Sequence, residues 1–205
     1  MINNIGFVRD SDNDLSVQNI KIINLAMKYG TPLFIYDSQI IEQTYQNLSN
    51  AIKKINGKIH YAVKANDNLG LIKFISQLGS GADVVSIGEL KKCLKVGMNS
   101  NNIIFSGVGK DKDEIEYAIL KNIGQINIES KEELNEIIDI TSKLKKKVNI
   151  AIRVNLDIKA ETHKKISTGD ENSKFGISLE DVPEIYRIIS NSKFLEPYGL
   201  AVHIG

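Results

Sequence analysis

Four ionisable side chains stand in short apolar segments of this sequence, close to the point where each segment ends. They are Lys64, Asp83, Arg153 and His203. Lys64 lies in a segment rich in alanine and valine, where a charged amine is costly to bury unless it has a task. Burial lowers the pKa of a lysine, so that a free amine is available near neutral pH. Such an amine forms Schiff bases with carbonyl groups, either of a substrate, as in an aldolase, or of pyridoxal phosphate (PLP).

Each of the other three side chains has a simpler interpretation when it is taken alone. Asp83 could brace a turn, and Asp83 with Arg153 could form a structural ion pair. A lone His203 is more often a core histidine than a catalytic one. The hypothesis of a site rests on convergence, because ligands of α/β proteins bind at the carboxyl ends of the strands.

The elements that must position these residues follow a regular alternation from residue 58 onward. Short apolar or β-branched runs, typical of buried strands, alternate with segments in which apolar residues recur at helical spacing. Ser130 followed by Glu133 predicts a capping box at the start of one helix. The predicted strands are 58–66, 81–86, 102–107, 125–130, 147–155 and 198–205, each apolar on both faces.

This alternation predicts parallel strands joined by right-handed crossovers. An open doubly wound sheet and a (β/α)8 barrel both satisfy it, but no G-x-G-x-x-G fingerprint follows the first strand, which weakens the dinucleotide-binding alternative. A complete barrel needs eight strands and roughly 250 residues. Six strands in 205 residues therefore indicate the front part of a longer barrel.

Two further segments frame the alternation. PLFIYD, residues 32–37, predicts a separate strand, and a long helix follows with an apolar face from Ile41 to Ile55. The polar stretch 157–177 interrupts the pattern, and a loop of this length is more often functional than idle.

Composition limits the class of protein. The 26 basic and 25 acidic residues give a net charge of +1, which gives no support for nucleic-acid binding. Cys93 is the single cysteine, so no intrachain disulfide forms and a reducing compartment is favoured. Neither a membrane span nor a signal peptide is recognisable, and the expectation is a soluble cytoplasmic protein.

Several motifs resemble one enzyme family in order and in sequence. YAVKAN, residues 61–66, resembles the cofactor-lysine motif of fold-type III, alanine racemase-like PLP enzymes. The string T-H-x-x-I-S-T-G at residues 162–169 with K-F-G-I at 174–177 is similar to the diaminopimelate decarboxylase family in particular, and VHIG at 202–205 resembles its histidine strand end. The resemblance extends from about residue 15 to the last residue.

The resemblance implies a role for each matching residue. Lys64 would carry PLP covalently, and His203 would stack on the cofactor ring. Asp83 and Arg153 match charged positions near the cofactor that help to orient this histidine. His163 and Lys174 fall in the family-specific segment and could border the substrate, although a surface loop is the more common place for such residues. Ser86 and Glu89 fall in another matching motif and receive no chemical role, and no metal site is expected.

The same resemblance implies decarboxylation of meso-2,6-diaminopimelate to L-lysine and CO2, by a (β/α)8 PLP-binding barrel in an enzyme that is a homodimer when complete. Residues 38–205 would be the incomplete barrel, and residues 1–37 would carry a strand that pairs with a C-terminal β-domain. The family's phosphate cradle, its acid for the pyridine nitrogen and that β-domain are absent from the 205 residues, so the isolated chain is expected to be inactive and to self-associate through unpaired strand edges.

Two alternatives to this function stay open. The first is another fold-type III decarboxylase, acting on ornithine, arginine or carboxynorspermidine. The second is a non-catalytic truncated relative.

Overall fold

The chain forms two compact units. A computed structural model describes residues 6–9, 11, 13–156 and 175–203, and the units are Met1–Lys58 and Ile59–Gly205. The boundary predicted from the sequence lies after residue 37, whereas the division after residue 58 assigns the long helix to the first unit.

The first unit contains a small antiparallel sheet and two helices. Its elements are β1 Phe7–Arg9, β2 Leu15–Val17, β3 Ile20–Lys21, α1 Ile22–Tyr29 and α2 Ser38–Ile52. The sheet, which the hydrophobic pattern did not predict, has the order β1-β2-β3 and pairs Phe7 with Val17 and Val17 with Ile20. The predicted long helix is present as α2, followed by a 3-10 turn at Lys53–Ile55.

Residues 32–37 are not a strand in this structure, so the strand predicted for PLFIYD is wrong for it. A strand is defined by hydrogen bonds to a neighbour, and among the described residues none pairs with this segment. Its last residue begins the next helix instead, because the Asp37 carboxylate accepts a hydrogen bond from the Gln39 N–H at 2.8 Å. Pairing with a further domain stays a prediction.

The second unit is a parallel sheet with helices between its strands. The strands are β4 His60–Ala62, β5 Gly81–Val84, β6 Ile103–Phe105, β7 Gln125–Ile128, β8 Val148–Asn155, β9 Ile177–Ser178 and β10 Leu195–Ala201. The helices are α3 Leu69–Gln77, α4 Ile87–Lys95, α5 Lys112–Leu120, α6 Lys131–Leu144 and α7 Val182–Asn191. Side-chain caps start four of these helices, and the capping residues are Asn68, Ser86, Asp111 and Ser130.

The order of the strands distinguishes the two predicted architectures. The sheet runs β4-β5-β6-β7-β8-β10, which is the order of the strands along the chain, with the short β9 paired to β8. A doubly wound sheet reverses its order at a switch point, whereas a barrel adds each strand beside the previous one. The prediction of a partial (β/α) barrel is therefore confirmed.

The two faces of the sheet differ in character. Ala82 and Val84 of β5, like Ile126 and Ile128 of β7, are fully buried in a core shared with the helices. The alternate positions on the opposite face include Asp83 and other polar residues. The prediction of strands that are apolar on both faces therefore holds for the helix-covered face only, since the second face belongs to the site.

The last strand is shifted relative to its prediction. β10 begins at Leu195 and ends at Ala201, so His203 follows the strand and does not end it. Within the described ranges, no helix combines the length and the apolar character that crossing a membrane requires.

Candidate functional site

A cavity of about 400 Å³ opens at the carboxyl ends of the strands of the second unit. Lys64, Asp83, Arg153 and His203 all line it, although they come from segments up to 139 positions apart in sequence (64 to 203). The structure therefore brings the four predicted residues together. The volume lies in the range of small-molecule sites, roughly 300–1,000 Å³.

Lys64 is exposed, and the prediction that this lysine is buried is wrong. The strand β4 stops at Ala62, and Val63–Ala65 form a 3-10 turn that carries Lys64 past the end of the sheet. The turn is anchored by the fully buried Val63 and by a hydrogen bond of 3.0 Å from the Tyr61 hydroxyl to the Asn66 carbonyl. The alternation of side chains between the two faces of a strand does not continue through a 3-10 turn. The spacing in the sequence therefore predicted the wrong environment for the Lys64 amine.

Asp83 stands on β5 opposite Ala62, with its side chain in the cavity wall. Its Oδ1 is buried and has no hydrogen-bond partner among the described residues. Burial raises the pKa of Asp83, although a hydrogen bond from Ser106 and the nearby charges of Lys64 and His60 act in the opposite direction. The cavity therefore offers an unused carboxylate oxygen to a donor on a bound molecule.

A short chain of hydrogen bonds leads across the sheet to Asp83. The Gln125 amide donates to Asn127 Oδ1 at 2.6 Å, and Asn127 donates to Ser106 Oγ at 2.9 Å. Ser106 in turn lies beside Asp83, and its side chain lowers the pKa of that carboxyl against the larger effect of burial. Sequence reasoning missed Ser106 and Asn127, because neither is ionisable and the search at strand ends considered charge only.

Arg153 is paired with Glu129 and not with Asp83. Its Nη1 lies 2.9 Å from both carboxylate oxygens of Glu129, and the two side chains are 15% and 5% exposed. The predicted alternative of a structural Asp83–Arg153 pair is therefore wrong. Glu129 directly follows β7, so the rule that selected the other strand ends would have found it.

His203 follows β10 and is exposed at the cavity mouth. Partial burial lowers the pKa of His203, and the positive charges of Arg153 and Lys64 lower it further, against a smaller opposite effect of Asp83 and Glu129. These effects favour the neutral form of the imidazole.

The remaining predicted residues contribute less. Ser86 caps α4 by accepting a hydrogen bond from the Glu89 N–H at 3.2 Å, which is a structural role. His163 and Lys174 lie outside the described residues. In the part of the chain that the structure describes, no group of three His, Cys, Asp or Glu side chains could hold a metal ion.

The comparison with protein families gives one match over most of the chain. Residues 38–205 match the model described as "Pyridoxal-dependent decarboxylase, pyridoxal binding domain". The matched range includes the whole strand–helix alternation and all four residues predicted to form the site.

Relatives and solved structures agree with this match. Diaminopimelate decarboxylase of Campylobacter jejuni is 43% identical over 181 residues, which is 88% of this chain and 45% of that protein. The structure of diaminopimelate decarboxylase from Helicobacter pylori complexed with L-lysine superposes with a TM-score of 0.87 at 42% identity, covering 90% of this chain and 47% of that one. The structure of diaminopimelate decarboxylase from m. jannaschii in co-complex with L-lysine has a TM-score of 0.91 at 32% identity, covering 100% of this chain and 49% of that one. The chain thus spans about half the length of the relatives that it matches.

Proposed function

The chain belongs to the pyridoxal-dependent decarboxylases through their pyridoxal-binding domain, and we propose that it forms part of an enzyme that decarboxylates meso-2,6-diaminopimelate to L-lysine and CO2. The observation that carries this proposal is the meeting of Lys64, Asp83, Arg153 and His203 in one cavity at the carboxyl ends of the strands.

The residues present fit PLP as the cofactor. The cavity wall combines the Lys64 amine, which can bind an aldehyde covalently, with the small side chains of Ala62 and Ala201 and with Gly107, which leave room for a planar ring. The buried Asp83 Oδ1, which has no partner among the described residues, supplies an acceptor for a donor on the bound molecule. When bound, PLP supplies the electron sink for the electron pair that remains when the substrate carboxylate leaves as CO2.

The protein side chains would hold and orient the reacting groups. Lys64 lies on an exposed turn, so the amine of a substrate can approach the point where the Lys64 amine would bind the cofactor. The neutral imidazole of His203 can lie flat against a cationic ring without charge repulsion. Arg153, fixed by Glu129, places a positive charge in the same wall, where it can orient a substrate carboxylate.

The choice of diaminopimelate rests on two supports. The T-H-x-x-I-S-T-G string at 162–169 is similar to the family acting on this substrate, and the Campylobacter jejuni relative reported above is named diaminopimelate decarboxylase. Ornithine, arginine and carboxynorspermidine are the substrates of the alternative decarboxylases, and they enter the test below as competitors.

Assembly and compartment form a further part of the proposal. We infer a homodimer for the complete enzyme from the family resemblance. We infer a cytoplasmic location because the single cysteine, Cys93, is a buried free thiol, as a reducing compartment favours.

The test of the proposed function is covalent labelling. Borohydride reduction of the protein with PLP is expected to add one pyridoxyl group, located at Lys64 by peptide mass analysis. Lys64→Ala should abolish the label, whereas Lys73→Ala, an exposed lysine on α3, should retain it. A label on another residue, or none, contradicts the proposal.

The substrate is tested separately on the complete enzyme of which this chain is proposed to be a part, since the 205 residues alone are expected to be inactive. CO2 release should be faster from meso-diaminopimelate than from ornithine, arginine or carboxynorspermidine. If PLP labels Lys64 but one of the competitors is preferred, the family assignment stands and the proposed substrate is wrong.

A further inference from the structure

We propose that Lys110 and Glu133 are positioning residues for this cavity, although neither of them lines it: with Glu129 they close a ring around Gly107 that fixes Arg153 and the Gly107 turn in the cavity wall. This inference rests on the proposed function. Sequence spacing does not reveal the ring, because its members come from two separate places in the chain. Gly107 and Lys110 lie between β6 and α5, whereas Glu129 and Glu133 lie where β7 leads into α6.

The ring begins at the backbone of Gly107. The Gly107 N–H donates to Glu129 Oε1 at 3.1 Å, and the Gly107 carbonyl accepts from the Lys110 ammonium. Ionised side chains of opposite sign therefore hold the two polar groups of one residue. Gly107 has a φ of +102°, a conformation that other residues rarely adopt, so the turn requires glycine at this position.

The ring closes through the start of α6. The backbone N–H of Glu129 donates to Glu133 Oε2 at 2.7 Å, and Glu133 Oε1 lies 2.7 Å from Lys110 Nζ. Half of the predicted capping box is thus present, since Ser130 Oγ accepts from the Glu133 N–H at 3.2 Å. The Glu133 carboxylate does not complete the box, because it joins the ring.

The burial of these two charges costs free energy of folding, so a contribution to stability does not by itself explain the ring. The side chain of Lys110 is 0% exposed and that of Glu133 is 12% exposed. Burial raises the pKa of Glu133 despite the neighbouring Lys110 charge, so desolvation is not fully compensated. A buried ion pair is often no more stabilising than apolar side chains of similar volume. What apolar side chains could not supply is the donor for the Gly107 carbonyl and the acceptor for the Glu129 N–H.

The ring fixes the positions of two groups in the cavity wall, the Gly107 backbone and the Arg153 guanidinium. Glu129 uses the oxygen that binds Gly107 also to bind Arg153, at 2.9 Å. Ser106, Gly107 and Arg153 all face the cavity. A shift of Lys110 or Glu133 therefore moves the wall and the guanidinium together.

The experiment separates positioning from stability with a double variant. Lys110→Met alone should lower the thermal unfolding temperature and weaken PLP binding by roughly tenfold, the ratio that one charge-assisted hydrogen bond supports. Lys110→Met/Glu133→Leu removes both charges and should regain the unfolding temperature without regaining PLP affinity, measured by equilibrium dialysis on the full protein. Glu133→Gln serves as the milder variant if Lys110→Met does not fold.

A matched control comes from an exposed pair that joins the start of α6 to α7. Lys131 and Glu184 are 51% and 58% exposed and lie 2.6 Å apart. Lys131→Met/Glu184→Leu should change neither the unfolding temperature nor PLP affinity. Full recovery of PLP affinity in the Lys110→Met/Glu133→Leu variant would show that the ring is structural only and would overturn the proposal.

A second readout does not depend on the cofactor. The groups facing the His203 imidazole are Arg153, Lys64, Asp83 and Glu129. If the ring holds Arg153 in place, the Lys110→Met/Glu133→Leu variant should show a higher pKa for His203 by NMR titration without PLP. An unchanged pKa of His203 in this variant overturns the proposed role of the ring. A failure of PLP labelling at Lys64 in the unaltered protein overturns the proposed function instead, so the two failures are distinguishable.

Discussion

Arg153 and Glu129 form a buried ion pair in which one guanidinium nitrogen lies 2.9 Å from each of the two carboxylate oxygens. The pair joins the end of β7 to β8, which are hydrogen-bonded neighbours. The charge of Arg153 in the cavity wall is therefore already balanced by Glu129, whereas Asp83 keeps an oxygen without a partner among the described residues. The first three predictions follow from this difference.

Glu129→Ala is expected to destabilise the protein by about 3 kcal/mol, because it leaves the Arg153 guanidinium in a mostly buried position without its anion. The measurement is the free energy of unfolding in urea. Glu196→Ala is the control, since Glu196 pairs with Lys147 where both side chains are largely exposed, and it should cost less than about 1 kcal/mol. Equal losses in the two variants would contradict a specific role of the buried pair.

Asp83→Asn is expected to increase the free energy of unfolding at neutral pH. Burial raises the pKa of Asp83 in the folded protein, whereas the unfolded chain has the ordinary value of 3.8. The folded state therefore binds the proton more tightly, and the stability that Asp83 contributes below pH 3.8 is lost as the pH rises through its folded pKa. Asparagine does not ionise and therefore avoids this loss of stability. The gain in the free energy of unfolding over the unaltered protein should therefore shrink as the pH falls toward 3.8.

Urea unfolding at several pH values measures this effect. Asp139→Asn, at an exposed position on α6, should show no such pH-dependent gain. If Asp83→Asn lowers the stability at neutral pH, the carboxylate stabilises the fold and the sign given above is wrong.

Arg153→Met is expected to raise the pKa of His203. Partial burial is the first cause of the lowered pKa of this histidine and the Arg153 charge is the second, so removal of that charge should move the pKa toward the ordinary 6.5. In the unaltered protein the lowered pKa means that His203 contributes stability above pH 6.5, which is lost as the pH falls through its folded pKa.

NMR titration of the imidazole protons, assigned with His203→Asn, tests this expectation. Arg187→Met on α7 replaces an exposed arginine outside the cavity and should leave the titration unchanged. A pKa of His203 that is insensitive to Arg153→Met would contradict the electrostatic coupling of the two residues.

Cys93 is expected to resist thiol reagents in the folded protein. The residue is fully buried in α4, and burial raises the pKa of its thiol to about 11, so the reactive thiolate is scarce at neutral pH. Labelling with a maleimide should be slow in buffer and complete in denaturant. Ser190→Cys, which adds an exposed thiol on α7, should bring one rapidly labelled group; rapid labelling of the unaltered protein would show that the core opens readily.

The hydrophobic pattern alone determined the class of fold. Apolar runs alternating with helical spacing gave the parallel strands in their order along the chain, because burial against helices imposes both periodicities on the sequence. The same reasoning also located Lys64, Asp83, Arg153 and His203, since ligands of α/β proteins bind at the carboxyl ends of the strands, where these residues were predicted to meet. The motif resemblance added the cofactor and the family, and the comparisons confirmed both.

Tertiary structure alone decided how those residues are surrounded. The exposure of Lys64 depends on a 3-10 turn at Val63–Ala65, and periodicity does not reveal where a strand gives way to such a turn. The partner of Arg153 is Glu129 and not Asp83, because pairing depends on which strands are neighbours and how far each side chain reaches across the sheet. Contacts that close over long distances in sequence, such as the ring through Lys110 and Glu133, exist only once the strands are assembled, since no local rule of spacing encodes them.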